Sequence, residues 1–179
     1  MADDGRAAGT LAQRAYETLE GRILDGEWLP DTRVSLRTLA ISLDTSMQPV
    51  REAVGRLIDA AALRSAPGKA IRVPRLERRT ADEIWALRML LEGEAAARFA
   101  ARRRPAEARD LYRYTEALRA MRMGADLPAT MRSLMGWNLA LAQGSASPIL
   151  IEMIRRLRLR YAPFVAEALA VGAPFDPEF

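Results

Sequence analysis

Arginines are the residues of this sequence whose chemistry says most about function. Of its 27 basic residues all but Lys69 are arginine, and a guanidinium can hold guanine or phosphate through paired hydrogen bonds. Residues 46–79 contain eight bases and three acids, a local net charge of +5, whereas the whole chain carries +4. This segment is therefore the candidate for contact with a polyanion.

Histidine and cysteine are absent, which removes the commonest metal ligand, the commonest general base and all thiolate chemistry. Carboxylates such as Glu92 or Asp126 could still serve an enzyme, but no catalytic motif accompanies them. With 50% hydrophobic and 28% charged residues, the composition is that of a globular protein. No signal peptide or membrane span is predicted. We expect a cytoplasmic protein that is not an enzyme and that holds no metal or cofactor.

Helical periodicity in the first half predicts three helices and a hairpin. The predicted elements are, in order, a mobile arm over 1–10, helices over about 11–25, 36–43 and 47–61, and two short strands around Pro67-Gly68-Lys69. Ser35 and Ser46 are the predicted N-caps of the second and third helices, and Pro67-Gly68 is a turn signal. Three helices and a hairpin within residues 11–74 are typical of a winged helix-turn-helix, a DNA-binding domain.

The second half is predicted to be entirely helical. Residues 75–79 form a predicted linker, residues 80–172 a helical domain and residues 173–179 a tail. Thr80 and Glu83 have the spacing of a capping box, which predicts a helix start at Thr80. The predicted fold class is therefore mainly α, with an N-terminal winged helix-turn-helix followed by an all-helical bundle domain.

The first half resembles a known family through two stretches of sequence, residues 36–40 (LRTLA) and residues 46–53 (SMQPVREA). They are similar to the signature of the GntR family of bacterial transcriptional regulators. The resemblance implies that the third helix lies in the major groove, that the wing approaches the minor groove and that two protomers read a palindromic operator. The predicted DNA contacts are Arg37, Ser46, Gln48, Arg51, Gly68 and Lys69.

Four residues qualify this prediction. Arg51 has an alternative interpretation as a solvated residue paired with a neighbouring carboxylate, the usual state of a surface arginine. Glu52 is expected to orient arginines rather than to touch bases. Met47 stands where many relatives carry a further DNA-contacting arginine, and Asp31 replaces the glycine that usually follows Leu-Pro. Aspartate also tolerates turn conformations, so the change at Asp31 is mild.

Residues 84–92 (IWALRMLLE) and the later residues 137–142 (WNLALA) resemble the helical effector domain of the FadR-type branch of that family. Many such domains bind a metal through one aspartate and three histidines. At the matching positions this sequence has Leu134 and Asn138, and the chain ends at Phe179, before the helices that carry the other histidines. The resemblance therefore implies a shortened domain without the metal site.

Two residues of the helical half are candidate ligand contacts, Arg88 and Asn138. A buried Arg88 needs a carboxylate partner, either Glu92 or a bound organic acid. Asn138 is either a core residue hydrogen-bonded to the backbone or a ligand contact. The arginines near the C-terminus surround their helix and are expected to be solvated, and they are Arg155, Arg156, Arg158 and Arg160. Apolar faces left uncovered by the short domain are expected to pack against a second copy of the chain.

The sequence thus predicts a homodimeric repressor that binds double-stranded operator DNA, and whose helical domain dimerises and senses a small organic acid without metal. The alternative is a constitutive DNA-binding or protein-interaction module whose shortened helical domain no longer senses a ligand. Release of the operator by an effector would distinguish the two hypotheses.

Overall fold

The structure is a computed structural model that describes residues 3–66, 70–102, 105–120 and 126–172. Apolar stripes at helical spacing in the first half form helices that pack against a small sheet. These N-terminal elements are α1 (Asp3–Leu24), β1 (Arg33–Val34), α2 (Leu36–Ser42), α3 (Met47–Asp59), β2 (Arg64–Ala66) and β3 (Ala70–Arg72). Strand β3 lies between β1 and β2 and runs antiparallel to both.

The core of this part is formed between α1, α3 and the sheet. Leu19 and Ile23 of α1 and Leu57 of α3 are fully buried, and Val34 and Ile71 face each other in register on the buried side of the sheet. Apolar side chains on one face of each element thus supply the hydrophobic stabilisation.

The structure differs from the predictions for this half at two points. The first helix begins at Asp3 rather than near residue 11, so the predicted arm is helical from Asp3 onward. The alanines of this stretch are strong helix formers and the acidic residues at its start favour a helix N-terminus. Strand β1 was not predicted, because two residues carry no periodicity. It follows Asp31, whose φ of 67° explains why glycine is usual there.

The predicted N-caps of α2 and α3 differ in detail. Ser35 precedes α2, and its side-chain oxygen accepts from the Thr38 amide at 3.4 Å, which confirms the predicted cap. Ser46 occupies the cap position of α3 but makes no side-chain capping bond. The hydroxyl of Ser46 is therefore not engaged with its own helix.

The described elements of the second half are all helices. The helices are α4 (Arg78–Arg102), α5 (Pro105–Ala120), α6 (Leu127–Gly144) and α7 (Pro148–Ala170). The predicted start of α4 at Thr80 is two residues late, since ion pairs to Asp82 and Glu83 hold Arg78 and Arg79 in the first turn. None of the described helices is both long and apolar enough to cross a membrane. The predicted class, a winged helix-turn-helix followed by an all-helical domain, is confirmed.

Helix α7 packs directly against the DNA-binding half. Leu159 belongs to the same buried cluster as Leu19 and Ile23. Farther along α7, Glu167 binds Arg75 through two hydrogen bonds of 2.9 and 3.0 Å, and Arg75 also donates to Asp31 at 2.8 Å. This hydrogen bond lowers the pKa of Asp31. The two halves are thus joined through α7 by apolar contacts and by ion pairs.

Gly26 permits close packing at this junction, and replacing it with alanine should destabilise the protein. Gly26 has a φ of +75°, and a Cβ placed there would lie 2.8 Å from the Cβ of Ala166. We expect Gly26→Ala to lower the free energy of unfolding by about 1–3 kcal/mol. Gly21→Ala is the control, because a Cβ at this helical position meets nothing within 4 Å and should add up to about 1 kcal/mol. Urea denaturation at one protein concentration measures both, and equal stability of Gly26→Ala and wild type would contradict the prediction.

Candidate nucleic-acid interface and effector site

Helix α3 separates a buried apolar face from an exposed polar one. Val50, Val54 and Leu57 face the core, whereas Gln48 and Arg51 lie on the exposed face. An amphipathic third helix that presents polar side chains to solvent is the geometry by which a helix-turn-helix enters the major groove.

The two arginines predicted to touch DNA are free to do so. Arg37 of α2 and Arg51 of α3 are exposed, and within the described part of the chain neither has a hydrogen bond or an ion pair. The alternative in which Arg51 pairs with a neighbouring carboxylate is not observed. Glu52 instead accepts a hydrogen bond from Gln48 Nε2 at 3.0 Å, so its expected role in orienting arginines is not observed either.

Of the other predicted DNA contacts, the structure describes two, Ser46 and Gln48. Ser46 and Gln48 lie at the start of α3 with exposed side chains, beside first-turn amides that can face a phosphate. Met47 between them is also exposed and could meet a thymine methyl group. Gly68 and Lys69, predicted for the wing tip, lie outside the described residues.

Arg56 makes a contact that the sequence did not predict. Its guanidinium lies over the ring of Tyr16, 3.8 Å from the centroid, and donates to Gln13 Oε1 at 2.7 Å. The hydroxyl of Tyr16 donates to Glu20 Oε1 at 3.2 Å. These contacts tie the exposed face of α3 to α1. The signal in the sequence is that Tyr16 and Glu20 lie four residues apart on the apolar face of α1.

In the helical half, two buried arginines share one carboxylate. Arg88 and Arg158 are only 7% and 8% exposed. Glu92 accepts from Arg88 Nε at 2.9 Å, and from Arg158 Nε and Nη2 at 2.9 and 2.7 Å. Arg158 also donates to Asn138 Oδ1, and Asn138 Nδ2 donates to the carbonyl of Leu134 at 2.7 Å. The predicted ligand candidates Arg88 and Asn138 therefore belong to one network.

This network carries an excess positive charge. Two guanidiniums face one carboxylate, and the rings of Trp85 and Tyr161 flank Arg88, each with its centroid 4.9 Å from the guanidinium carbon. Burial, together with the like charge of Arg88, lowers the pKa of Arg158 to about 10. A buried, incompletely neutralised cation favours the binding of an anion nearby.

The expectation that the arginines of α7 are solvated is wrong for Arg158, which is buried. Arg155 is half-exposed, and its guanidinium also binds the buried Glu20, with Nε to Oε1 at 2.9 Å. The reason is that α7 contacts both halves of the molecule, so side chains on several of its faces are covered. As for metal, the described residues hold no group of three histidine, cysteine or acidic side chains positioned to bind an ion.

An arginine-bearing third helix in a winged helix-turn-helix, joined to a helical domain, defines a DNA-binding transcriptional regulator. Two family models match the chain, one described as bacterial regulatory proteins of the gntR family over residues 11–73 and the other as the FCD domain over residues 83–178. The chain belongs to the GntR family and combines its DNA-binding domain with an FCD effector-binding domain.

Individual relatives agree with this assignment. The chain is 32% identical over 154 residues to the HTH-type transcriptional regulator McbR of Escherichia coli strain K12, covering 86% of this chain and 70% of that protein. The solved structure of E. coli McbR/YncC superposes with a TM-score of 0.81 at 31% identity, over 88% of this chain and 74% of that one. The crystal structure of a transcriptional regulator GntR from Rhodococcus sp. RHA1 shares the fold, with a TM-score of 0.67 at 20% identity over 90% of this chain and 87% of that one.

Proposed function

We propose that this regulator represses transcription by binding a palindromic operator as a homodimer, with α3 in the major groove. The observation that carries the proposal is Arg51, an exposed arginine on the polar face of α3 within the residues that match the family. Arg37 adds a second exposed guanidinium on the preceding helix, and neither arginine has a partner among the residues that the structure describes. One arginine can read guanine bidentately while the other holds a phosphate.

An exposed apolar stripe on α4 supports the dimer. Leu87 and Leu90 are three residues apart on one face of the helix, with exposed fractions of 49% and 71%. Met89 beside them is also exposed. Large apolar side chains grouped on one helix face are usually buried in a partner, and a two-fold axis pairs the same stripe with itself.

Leu90→Glu should convert the dimer into a monomer. Leu90 is 71% exposed in the single chain, and in a dimer the new carboxylate would face its own copy across the two-fold axis. The matched control is Ile41→Glu, which places the same charge at a residue of α2 that is 73% exposed. Sedimentation equilibrium measures the mass of each variant. A Leu90→Glu protein that keeps the dimer mass would show that this stripe is not the interface.

We further propose that the FCD domain senses a small organic acid without metal. Support comes from the buried network of Arg88, Glu92, Arg158 and Asn138, in which two guanidiniums face a single carboxylate. A carboxylate ligand would reduce this excess of positive charge through charge-assisted hydrogen bonds.

The test is to select bound fragments of genomic DNA with the purified protein at a stated salt concentration. Enrichment of a palindrome with half-sites one helical turn apart, or a multiple of it, is the expected result. Addition of organic acids to the bound complex then tests sensing. No enriched sequence would contradict the operator proposal, and an operator that no organic acid releases would favour the constitutive module instead.

A further inference from the structure

A cavity of about 220 Å³ lies where the DNA-binding half meets the FCD domain. Its lining residues come from α1 and the turn that follows it, from α6 and from α7. The DNA-binding domain therefore forms one wall, with Gly21, Leu24 and Asp25. A ligand in this cavity would touch both domains at once.

The lining combines apolar surface with cationic groups. Three arginines line the cavity, Arg132, Arg155 and Arg158, and Asp25 is the one acidic residue among its described lining residues. The rest of the lining is largely apolar, with Leu24, Met135, Leu139, Ile151 and Ile154. Arg158 is the arginine whose charge the shared Glu92 neutralises only in part. This lining matches a carboxylate attached to an apolar body.

Arg155 has a second role, because it also holds the two domains together. It forms a bidentate ion pair with Glu20 of α1, whose side chain is only 2% exposed. Glu20 accepts from Tyr16, and the Tyr16 ring carries Arg56 of α3 on its face. A continuous series of contacts therefore leads from the cavity to the helix that presents Arg51.

We propose that a small organic acid with an apolar body binds in this cavity and that its carboxylate competes with Glu20 for Arg155. The inference rests on the proposed function, to which it adds the place of binding and the receiver of the signal. Once Arg155 binds the ligand, Glu20 is a buried carboxylate that has lost its ion-pair partner, which costs free energy. A movement of α1 away from α7 exposes Glu20 to water and so removes this cost. That movement carries Tyr16 with it and changes how Arg56 holds α3. Operator binding and acid binding then oppose each other by linkage.

The first experiment titrates the full-length protein calorimetrically with acetate, butanoate, hexanoate and octanoate, with hexanol as the uncharged control. Saturable binding of the longer acids but not of hexanol is expected. Leu139→Trp should weaken hexanoate binding by at least about tenfold, because the indole fills a cavity with little volume to spare. Leu139 is partly exposed, so the variant should fold, and its far-UV circular dichroism and melting temperature verify this.

The second experiment measures coupling. In wild type, hexanoate should weaken operator binding by about 5- to 100-fold. Tyr16→Phe keeps the ring beneath Arg56 but removes the hydroxyl that binds Glu20. We expect hexanoate to bind this variant as it binds wild type in the absence of DNA, while its effect on operator affinity falls toward none. A purely structural role of Tyr16 would leave the coupling unchanged.

Three results would overturn the inference: no acid of the series binds, Leu139→Trp binds hexanoate as wild type does, or Tyr16→Phe retains full coupling. Each is distinct from failure of the proposed function, which would show as an unliganded protein that selects no operator. If an operator is selected and released by some other organic acid while none of this series binds, only the inference about the cavity fails.

Discussion

Replacing Glu92 with alanine is expected to lower the free energy of unfolding by about 3–5 kcal/mol, the cost of leaving buried charges without their partner. Glu92 is the only carboxylate that contacts Arg88 and Arg158 among the described residues. Its loss would leave two buried guanidiniums without a carboxylate. Arg158 would keep its hydrogen bond to Asn138, and Arg88 would keep its contacts with the rings of Trp85 and Tyr161.

The chain offers a matched control on the same helix. Glu83 of α4 also pairs with an arginine four residues earlier, Arg79, but both side chains are largely exposed. Glu83→Ala should change stability by less than about 1 kcal/mol, since exposed ion pairs contribute little. Urea denaturation at a fixed protein concentration compares the two variants. A similar small effect for both would show that the buried network is not a major source of stability.

Arg51→Ala is expected to weaken operator binding by about 10- to 100-fold and to relax the preference at one base pair, because a bidentate contact to a base is worth about 1–3 kcal/mol. No internal partner of Arg51 is lost, since none is found in the described part of the chain. The stability of the protein should therefore stay the same.

Two comparisons make this test specific. Arg109→Ala removes an equal charge from the exposed surface of α5 and should leave operator affinity unchanged. Lys69→Ala should weaken binding to all DNA sequences alike. It should also reduce the slope of log affinity against log salt concentration by about one, the value for one lost phosphate contact. Fluorescence anisotropy with the operator and with single-base variants measures all three. Equal operator affinity of Arg51→Ala and wild type would exclude Arg51 from the interface.

Local signals were sufficient to predict most of the elements. Helix α3 has an unbroken apolar stripe and Ser35 caps α2 as predicted. Pro105 begins α5, at a first-turn position that tolerates proline. Asp126, which lies just before α6, caps it through the Ala129 amide at 3.0 Å. Such signals act over a few residues and so can be read without knowledge of the tertiary structure.

Burial by distant segments could not be predicted in this way. Arg155 and Arg158 lie on a helix whose sequence suggests solvated arginines. The packing of α7 between α1 and α4 buries Arg158 and pairs the half-exposed Arg155 with Glu20. Glu20 has its partner 135 residues farther along the chain. The Arg88 and Glu92 pair was foreseen because its partners are four residues apart, whereas Arg158 as a second partner of Glu92 was not.

Leu159 of α7 links the folding of the DNA-binding domain to that of the rest of the chain. The sequence suggests that a DNA-binding module could be cut free after residue 74, but the core of that module includes Leu159 of α7. A fragment ending there would have a gap beside Leu19 and Ile23 and a buried Glu20 without its guanidinium. The two domains that the sequence separates are therefore expected to unfold together rather than independently. An exchange of DNA-binding modules between relatives would have to include the matching face of α7.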